Sequence, residues 1–104
     1  LGHAPDWHAL MPLPEVPEHG TVRRVADGRA VFVSRHGEDV MVYDARCPHQ
    51  STEMPELAID GDSLICPRHG WAFDLGSGVC VAKGNRPLHA LASREQDGQL
   101  WVFW

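Results

Sequence analysis

Two short stretches, Cys47-Pro48-His49 and Cys66-Pro67-Arg68-His69-Gly70-Trp71, constrain this chain more than anything else in it. Each offers one thiolate and one imidazole, and sixteen residues (50 to 65) lie between them. Four ligands of this kind, delivered as two Cys–His pairs, form a metal-site signature. The candidate ligands are Cys47, His49, Cys66 and His69. Their spacing is unequal, Cys-x-His and then Cys-x-x-His, and the asymmetry bears on the metal. Structural zinc sites usually draw two Cys from one turn and two His from a helix. Here each turn carries a mixed pair, and a Pro follows each Cys. A [2Fe-2S] cluster with two Cys on one iron and two His on the other suits that arrangement. Two facing loops can each give a Cys to the first iron and a His to the second. The alternative from a different class is a zinc-stabilised binding module without redox activity.

Size and charge narrow the setting. A chain of 104 residues makes one domain, 1–104, with a modest core. No apolar run approaches the roughly 18 residues of a membrane helix, and the N-terminus lacks a basic region followed by an apolar one. No membrane partner is expected. The chain begins at Leu1 rather than Met, which fits a processed product, a trimmed one or a domain of a longer polypeptide. A net charge of −5 argues against nucleic acid, which needs a basic surface. It suits docking on a basic patch of a partner protein. Of the three cysteines, Cys80 has no obvious mate once Cys47 and Cys66 are claimed. No intramolecular disulfide is expected, and a reducing cytoplasm fits.

Along the chain, residues 1 to 19 hold Pro5, Pro12, Pro14 and Pro17 and read as an extended lead-in, with a short strand near Trp7–Leu10. Gly20–Val25 and Ala30–Arg35 alternate around the hairpin dipeptide Asp27-Gly28, and Val40–Asp44 follows the turn at residues 36–39. After the first ligand loop, Ser51–Ile59 has the composition of one helical turn, weakened by Pro55. Ser63–Cys66 runs into the second ligand loop and Trp71–Asp74 leaves it. Leu75–Gly78 is a turn, Val79–Ala82 a strand, and Lys83–Pro87 irregular. Leu88–Ser93 and Gln99–Trp104 flank Asp97-Gly98 as a closing hairpin. The fold class is all-β, a small antiparallel sandwich or barrel.

The two motifs and their spacing resemble the Rieske [2Fe-2S] family, whose pattern is Cys-x-His followed later by Cys-x-x-His. Pro67, Gly70 and the segment Phe73–Gly78 are similar to the family's second motif and its sequel. The resemblance covers nearly the whole chain. It implies a base of antiparallel strands, about 1–44 and 88–104, carrying an inserted cluster-binding subdomain, about 45–87. It implies one Rieske-type [2Fe-2S] cluster per chain, with Cys47 and Cys66 on the inner iron and His49 and His69 on the outer. It places Pro87 in a loop over the cluster. The implied function is a one-electron carrier, not an enzyme, with no small-molecule substrate of its own. A flavin-dependent NAD(P)H reductase would supply it, and a terminal oxygenase would receive the electron. The runner-up is a Rieske domain or small subunit of a larger oxygenase or an assimilatory nitrite reductase.

Departures from the high-potential branch of that family carry an expectation. Its bracing disulfide would need Cys where Thr52 and Arg68 stand, and its hydroxyl donors to the cluster sulfurs correspond to Trp71 and Phe73. Without those donors the reduced cluster is less stabilised, so the potential is expected at the lower end of the roughly −150 to +300 mV Rieske range. Among the other residues, Trp71 is read as a shield against water, with partner docking as the rival. Cys80 is read as a small buried hydrophobe. His3, His8, His19, His36 and His89 show no paired spacing and are read as surface or turn residues. Arg68, Gln50 and the acidic residues Glu53, Glu56, Asp60 and Asp62 are either partner contacts or solvated loop positions.

Overall fold

Turn chemistry cuts the chain into short antiparallel strands. The computed structural model describes residues 6–48, 53–68 and 70–104, and among them there is no α-helix. The strands are β1 (Trp7–Pro12), β2 (His19–Ala26), β3 (Arg29–His36), β4 (Asp39–Asp44), β5 (Ile59–Asp60) and β6 (Ser63–Ile65). They continue as β7 (Ala72–Asp74), β8 (Cys80–Ala82), β9 (Ala90–Leu91), β10 (Ser93–Gln96) and β11 (Gln99–Phe103). Asp27 and Gly28, at φ 49° and 79°, link β2 to β3 with Ala26 opposite Arg29. Asp97 and Gly98, at 54° and 75°, do the same between β10 and β11. Two successive positive φ values are the type I′ geometry whose twist matches that of the flanking strands.

Three sheets result, ordered β1-β11-β10, β2-β3-β4-β9 and β5-β6-β7-β8. The second sheet is buried on both faces, and the period-two alternation of a strand shows which residue serves which face. Ala30, Phe32, Tyr43 and Ala45 enter one cluster together with Met54, Leu64, Phe73, Leu75 and Leu88. Val31, Val33 and Val42 enter the other with Met11, Leu100, Val102 and Trp104. Burial on both sides explains why Ala30–Ser34 reads as a continuous run without polar alternation. The first cluster joins the central sheet to the β5–β8 sheet, and the second joins it to β1 and β11. The all-β antiparallel expectation holds.

Two local expectations do not. Leu88–Ser93 is not one arm of a closing hairpin. β9 pairs with β4, placing Leu91 opposite Val42 and Ala90 opposite Tyr43. The chain then changes sheets at Ala92, and β10, not β9, joins β1 on β11. The cause is packing: Leu88 belongs to the first cluster and Leu91 lies against the second, so this stretch is held by the central sheet. The helical turn expected over Ser51–Ile59 is only a 3-10 turn at Glu56–Ala58, following extended Pro55; residues 51 and 52 lie outside those described. No helix of the described residues is long and apolar enough to cross a membrane.

Candidate metal centre

The first motif leaves the end of β4 through a closed neck. The Ala45 N–H donates to the Ala30 carbonyl at 3.0 Å, and the Met54 N–H donates to the Ala45 carbonyl at 2.8 Å. Arg46 and Glu53 form an antiparallel bridge, so both ends of the loop are pinned where Cys47 begins it. Asp44, nearly buried, holds the turn from its own side chain. One oxygen accepts the Arg46 N–H at 3.0 Å, and the other accepts from Arg29 at 2.7 Å. From β2, Arg23 reaches across to the same neck. Its Nε donates to the Met54 carbonyl at 3.0 Å and its terminal nitrogen pairs with the Glu53 carboxylate.

The second motif is the loop between β6 and β7. Ile65 opposes Ala72, the Cys66 N–H donates to the Trp71 carbonyl at 2.8 Å, and the Gly70 N–H donates to the Cys66 carbonyl at 2.9 Å. The turn closes on Gly70 at φ 74°, a left-handed conformation that glycine adopts without steric cost. Cys66 therefore stands, like Cys47, at the first position beyond an antiparallel neck. Both are thiols, 1% and 2% exposed, in one buried cluster with Tyr43, Met54 and Phe73. His49 and His69, with Gln50, Ser51 and Thr52, fall outside the described residues.

A strap after β8 lies against this loop. Lys83, at φ 65°, extends its side chain over Gly70: a β-carbon on Gly70 would sit 3.4 Å from Lys83 Cδ and 3.5 Å from Nζ. Trp71 packs onto Gly84, and an open depression of about 390 Å³ is lined by Trp71, Lys83, Gly84 and Asn85. Pro87, expected in the covering loop, is exposed; the contact is made three and four residues earlier. Trp71 also meets the buried Phe73, ring centres 6.4 Å apart. Neither ring carries a hydroxyl.

Beneath the site Tyr43 is buried, its hydroxyl donating to the Leu75 carbonyl at 3.0 Å. Burial, with the Asp74 carboxylate as a second cause, pushes the Tyr43 phenol above its usual 10.0. Cys80 is half-buried against the first cluster, more open than expected, with Sγ 3.5 Å from the Ala82 carbonyl. His8 is half-buried rather than open to solvent. It stacks on Trp104 at 4.0 Å and its Nδ1 lies 2.5 Å from an Asp27 oxygen. His19 and His36 face each other across β2 and β3, rings 6.4 Å apart. Arg68, Glu53, Glu56, Asp60 and Asp62 are exposed. Reading the sequence missed Arg23, Tyr43, Lys83 and Gly84; each acts through a contact distant in the chain, and no local pattern marks it.

The donor set fits an iron–sulfur cluster. Its thiolate half needs two reduced cysteines shielded from water, and Cys47 and Cys66 are two such thiols in one buried cluster. Comparison with known proteins agrees. Residues 6–93 match the family model described as the Rieske [2Fe-2S] domain. The chain is 27% identical over 98 residues to the anthranilate 1,2-dioxygenase ferredoxin subunit of Burkholderia cepacia, covering 93% of this chain and 91% of that protein. It is 34% identical over 85 residues to 4beta-methylsterol monooxygenase of Methylococcus capsulatus, covering 71% of this chain and 22% of that one. It thus spans about a fifth of the length of that relative. Among solved structures it resembles a chain in the complex of reduced oxygenase and oxidized ferredoxin of carbazole 1,9a-dioxygenase. The TM-score is 0.66 and the identity 25%, over 92% of this chain and 91% of the other.

Proposed function

The chain belongs to the Rieske [2Fe-2S] domain family, and we propose that it is a one-electron carrier delivering electrons to a terminal oxygenase. Family membership implies a Rieske-type [2Fe-2S] cluster. The proposed ligands are Cys47 and Cys66 on one iron and His49 and His69 on the other, within a cluster-binding subdomain of about residues 45–87. When bound, the cluster takes up and releases one electron. The chain's own residues hold and shield it. The two closed necks fix the loop ends, burial keeps water from the thiolates, and Trp71 with its strap covers one flank of the second loop. The proposed electron source is an NAD(P)H-dependent flavoprotein reductase.

One observation carries the reading: two thiols at equivalent positions beyond two closed necks, both in a single buried cluster. The similarity to a dioxygenase ferredoxin subunit over 91% of that protein's length supports the carrier role. A second reading, a Rieske domain of a longer oxygenase, is favoured by the match to a relative of which this chain spans 22%. The reading frame on either side of residues 1 and 104 decides between them.

The test is the visible and electron paramagnetic resonance spectrum of the purified protein, followed by film voltammetry from pH 6 to 10. A Rieske spectrum and a low wave, flat near neutral pH, are expected. A wave above about +200 mV, in the upper part of the family range, sinks the low-potential argument from Trp71 and Phe73. A colourless protein holding zinc sinks the carrier reading itself.

A further inference from the structure

We propose that Lys83 raises the reduction potential of the cluster, acting as a fixed positive charge beside the second ligand loop. The inference rests on the carrier reading above and concerns a residue that no ligand motif includes. Lys83 is the only lysine of the chain; the remaining eight cations are arginines. It holds a left-handed backbone, φ 65°, that side-chain-bearing residues rarely adopt. That conformation belongs to the strap whose next residue, Gly84, lies against Trp71. The backbone at position 83 is thus fixed from both sides, and its side chain lies over Gly70, the residue after His69. Gly70 has no side chain of its own, and the space a β-carbon would take is bordered by Lys83 Cδ, Cε and Nζ.

The ammonium is not spent on a carboxylate. The ion pairs of the described residues are His8–Asp27, Arg23–Glu53 and Arg29–Asp44, and none involves Lys83. Two ferric irons, two sulfides and two thiolates leave the oxidised site neutral with neutral imidazoles, and one added electron makes it an anion. No bond forms or breaks in that step. A cation near the anion stabilises the reduced form and does little for the neutral one. Lys83 therefore opposes the lowering expected from the missing hydroxyl donors at Trp71 and Phe73. Because the ammonium is exposed, the effect is moderate, roughly three- to tenfold in the ratio of reduced to oxidised protein; tenfold corresponds to about 59 mV for a one-electron couple.

Film voltammetry on the purified protein and three variants tests this. Lys83→Asn removes the charge with a residue that tolerates the left-handed backbone, Lys83→Glu reverses it, and Lys83→Arg keeps it. The expected order of potentials is wild type equal to Lys83→Arg, then Lys83→Asn, then Lys83→Glu, with the last shifted about twice as far as Lys83→Asn. The spread shrinks between about 0.01 M and 1 M salt, as the screening length falls from about 30 Å to 3 Å. Equal potentials in all four proteins overturn the proposal while leaving the carrier reading intact. So does a Lys83→Arg shift as large as that of Lys83→Asn, which marks a packing role. A wild-type protein without a Rieske spectrum overturns both.

Discussion

The indole of Trp71 rests against the backbone of Gly84 so closely that a β-carbon there would lie 2.2 Å from Trp71 Cδ2 and Cε3. Real β-carbons do not approach ring carbons to that distance, so Gly84→Ala must displace either the indole or the strap. Overpacking of this kind costs about 1–3 kcal/mol. The expected result is a thermal midpoint lowered by several degrees and faster bleaching of the visible spectrum in air, because the displaced ring uncovers the second loop. A lowered midpoint with an unchanged bleaching rate would mean that the strap, not the indole, gives way, and an unchanged rate in Trp71→Ala as well would remove Trp71 from its shielding role.

Arg23 is a strut from β2 to the first ligand loop, and its two contacts are unequal. The bond from Nε to the Met54 carbonyl is charge-assisted and partly buried, whereas Glu53 is exposed. Hydrogen bonds involving a charged group contribute about 1.5–3 kcal/mol, and exposed ion pairs typically 0–1 kcal/mol. Arg23→Ala should therefore destabilise by roughly 1–2 kcal/mol once solvent screening is discounted. Glu53→Gln should cost a few tenths at most. Denaturation midpoints of the two variants compare them directly, and equal losses would mean that the surface pair, not the carbonyl contact, holds the neck.

What could be read from the sequence and what could not divide along contact range. The β2-β3-β4 meander was legible because Asp27-Gly28 sets its own turn and the pairing residues are neighbours in sequence. The family was legible because its two motifs combine residue type and spacing independently of packing, and the structure places Cys47 and Cys66 at the starts of two loops. The fate of Ala90–Leu91 was not legible, since its strand residues satisfy either sheet and only the burial of Leu88 and Leu91 decides. His8 looked like a surface histidine because the residues that enclose it, Asp27 and Trp104, are nineteen and ninety-six positions away. Lys83 and Gly84 fell in a stretch with no strand pattern. Their significance lies in where residues 70 and 71 happen to be.

Tyr43 links stability to alkaline pH. Burial raises its phenol above 10.0, with the Asp74 carboxylate adding to the shift. The folded state therefore keeps the proton at pH values where the unfolded chain releases it. Stability from this group is complete below about pH 10 and declines as the pH rises through the folded value. Tyr43→Phe removes this slope. It also leaves the Leu75 carbonyl without its 3.0 Å donor, so the variant starts about 1–3 kcal/mol lower at neutral pH. The wild-type and Tyr43→Phe curves should converge above pH 10; parallel curves would mean that Tyr43 does not titrate with unfolding.

The three cysteines separate by position, and Ser substitution reads that separation. Cys47 and Cys66 lie at 1% and 2% exposure, each just beyond a closed neck, while Cys80 sits half-buried on β8 and contacts only the fringe of the same cluster. A serine hydroxyl is a far poorer ligand for ferric iron than a thiolate. Cys47→Ser and Cys66→Ser should each lose the Rieske spectrum and most of the bound iron. Cys80→Ser should keep full iron and an unchanged potential, because its Sγ faces the Ala82 carbonyl, which a hydroxyl can equally reach. Loss of the cluster in Cys80→Ser would place that thiol among the ligands and require the four-ligand assignment to be redrawn.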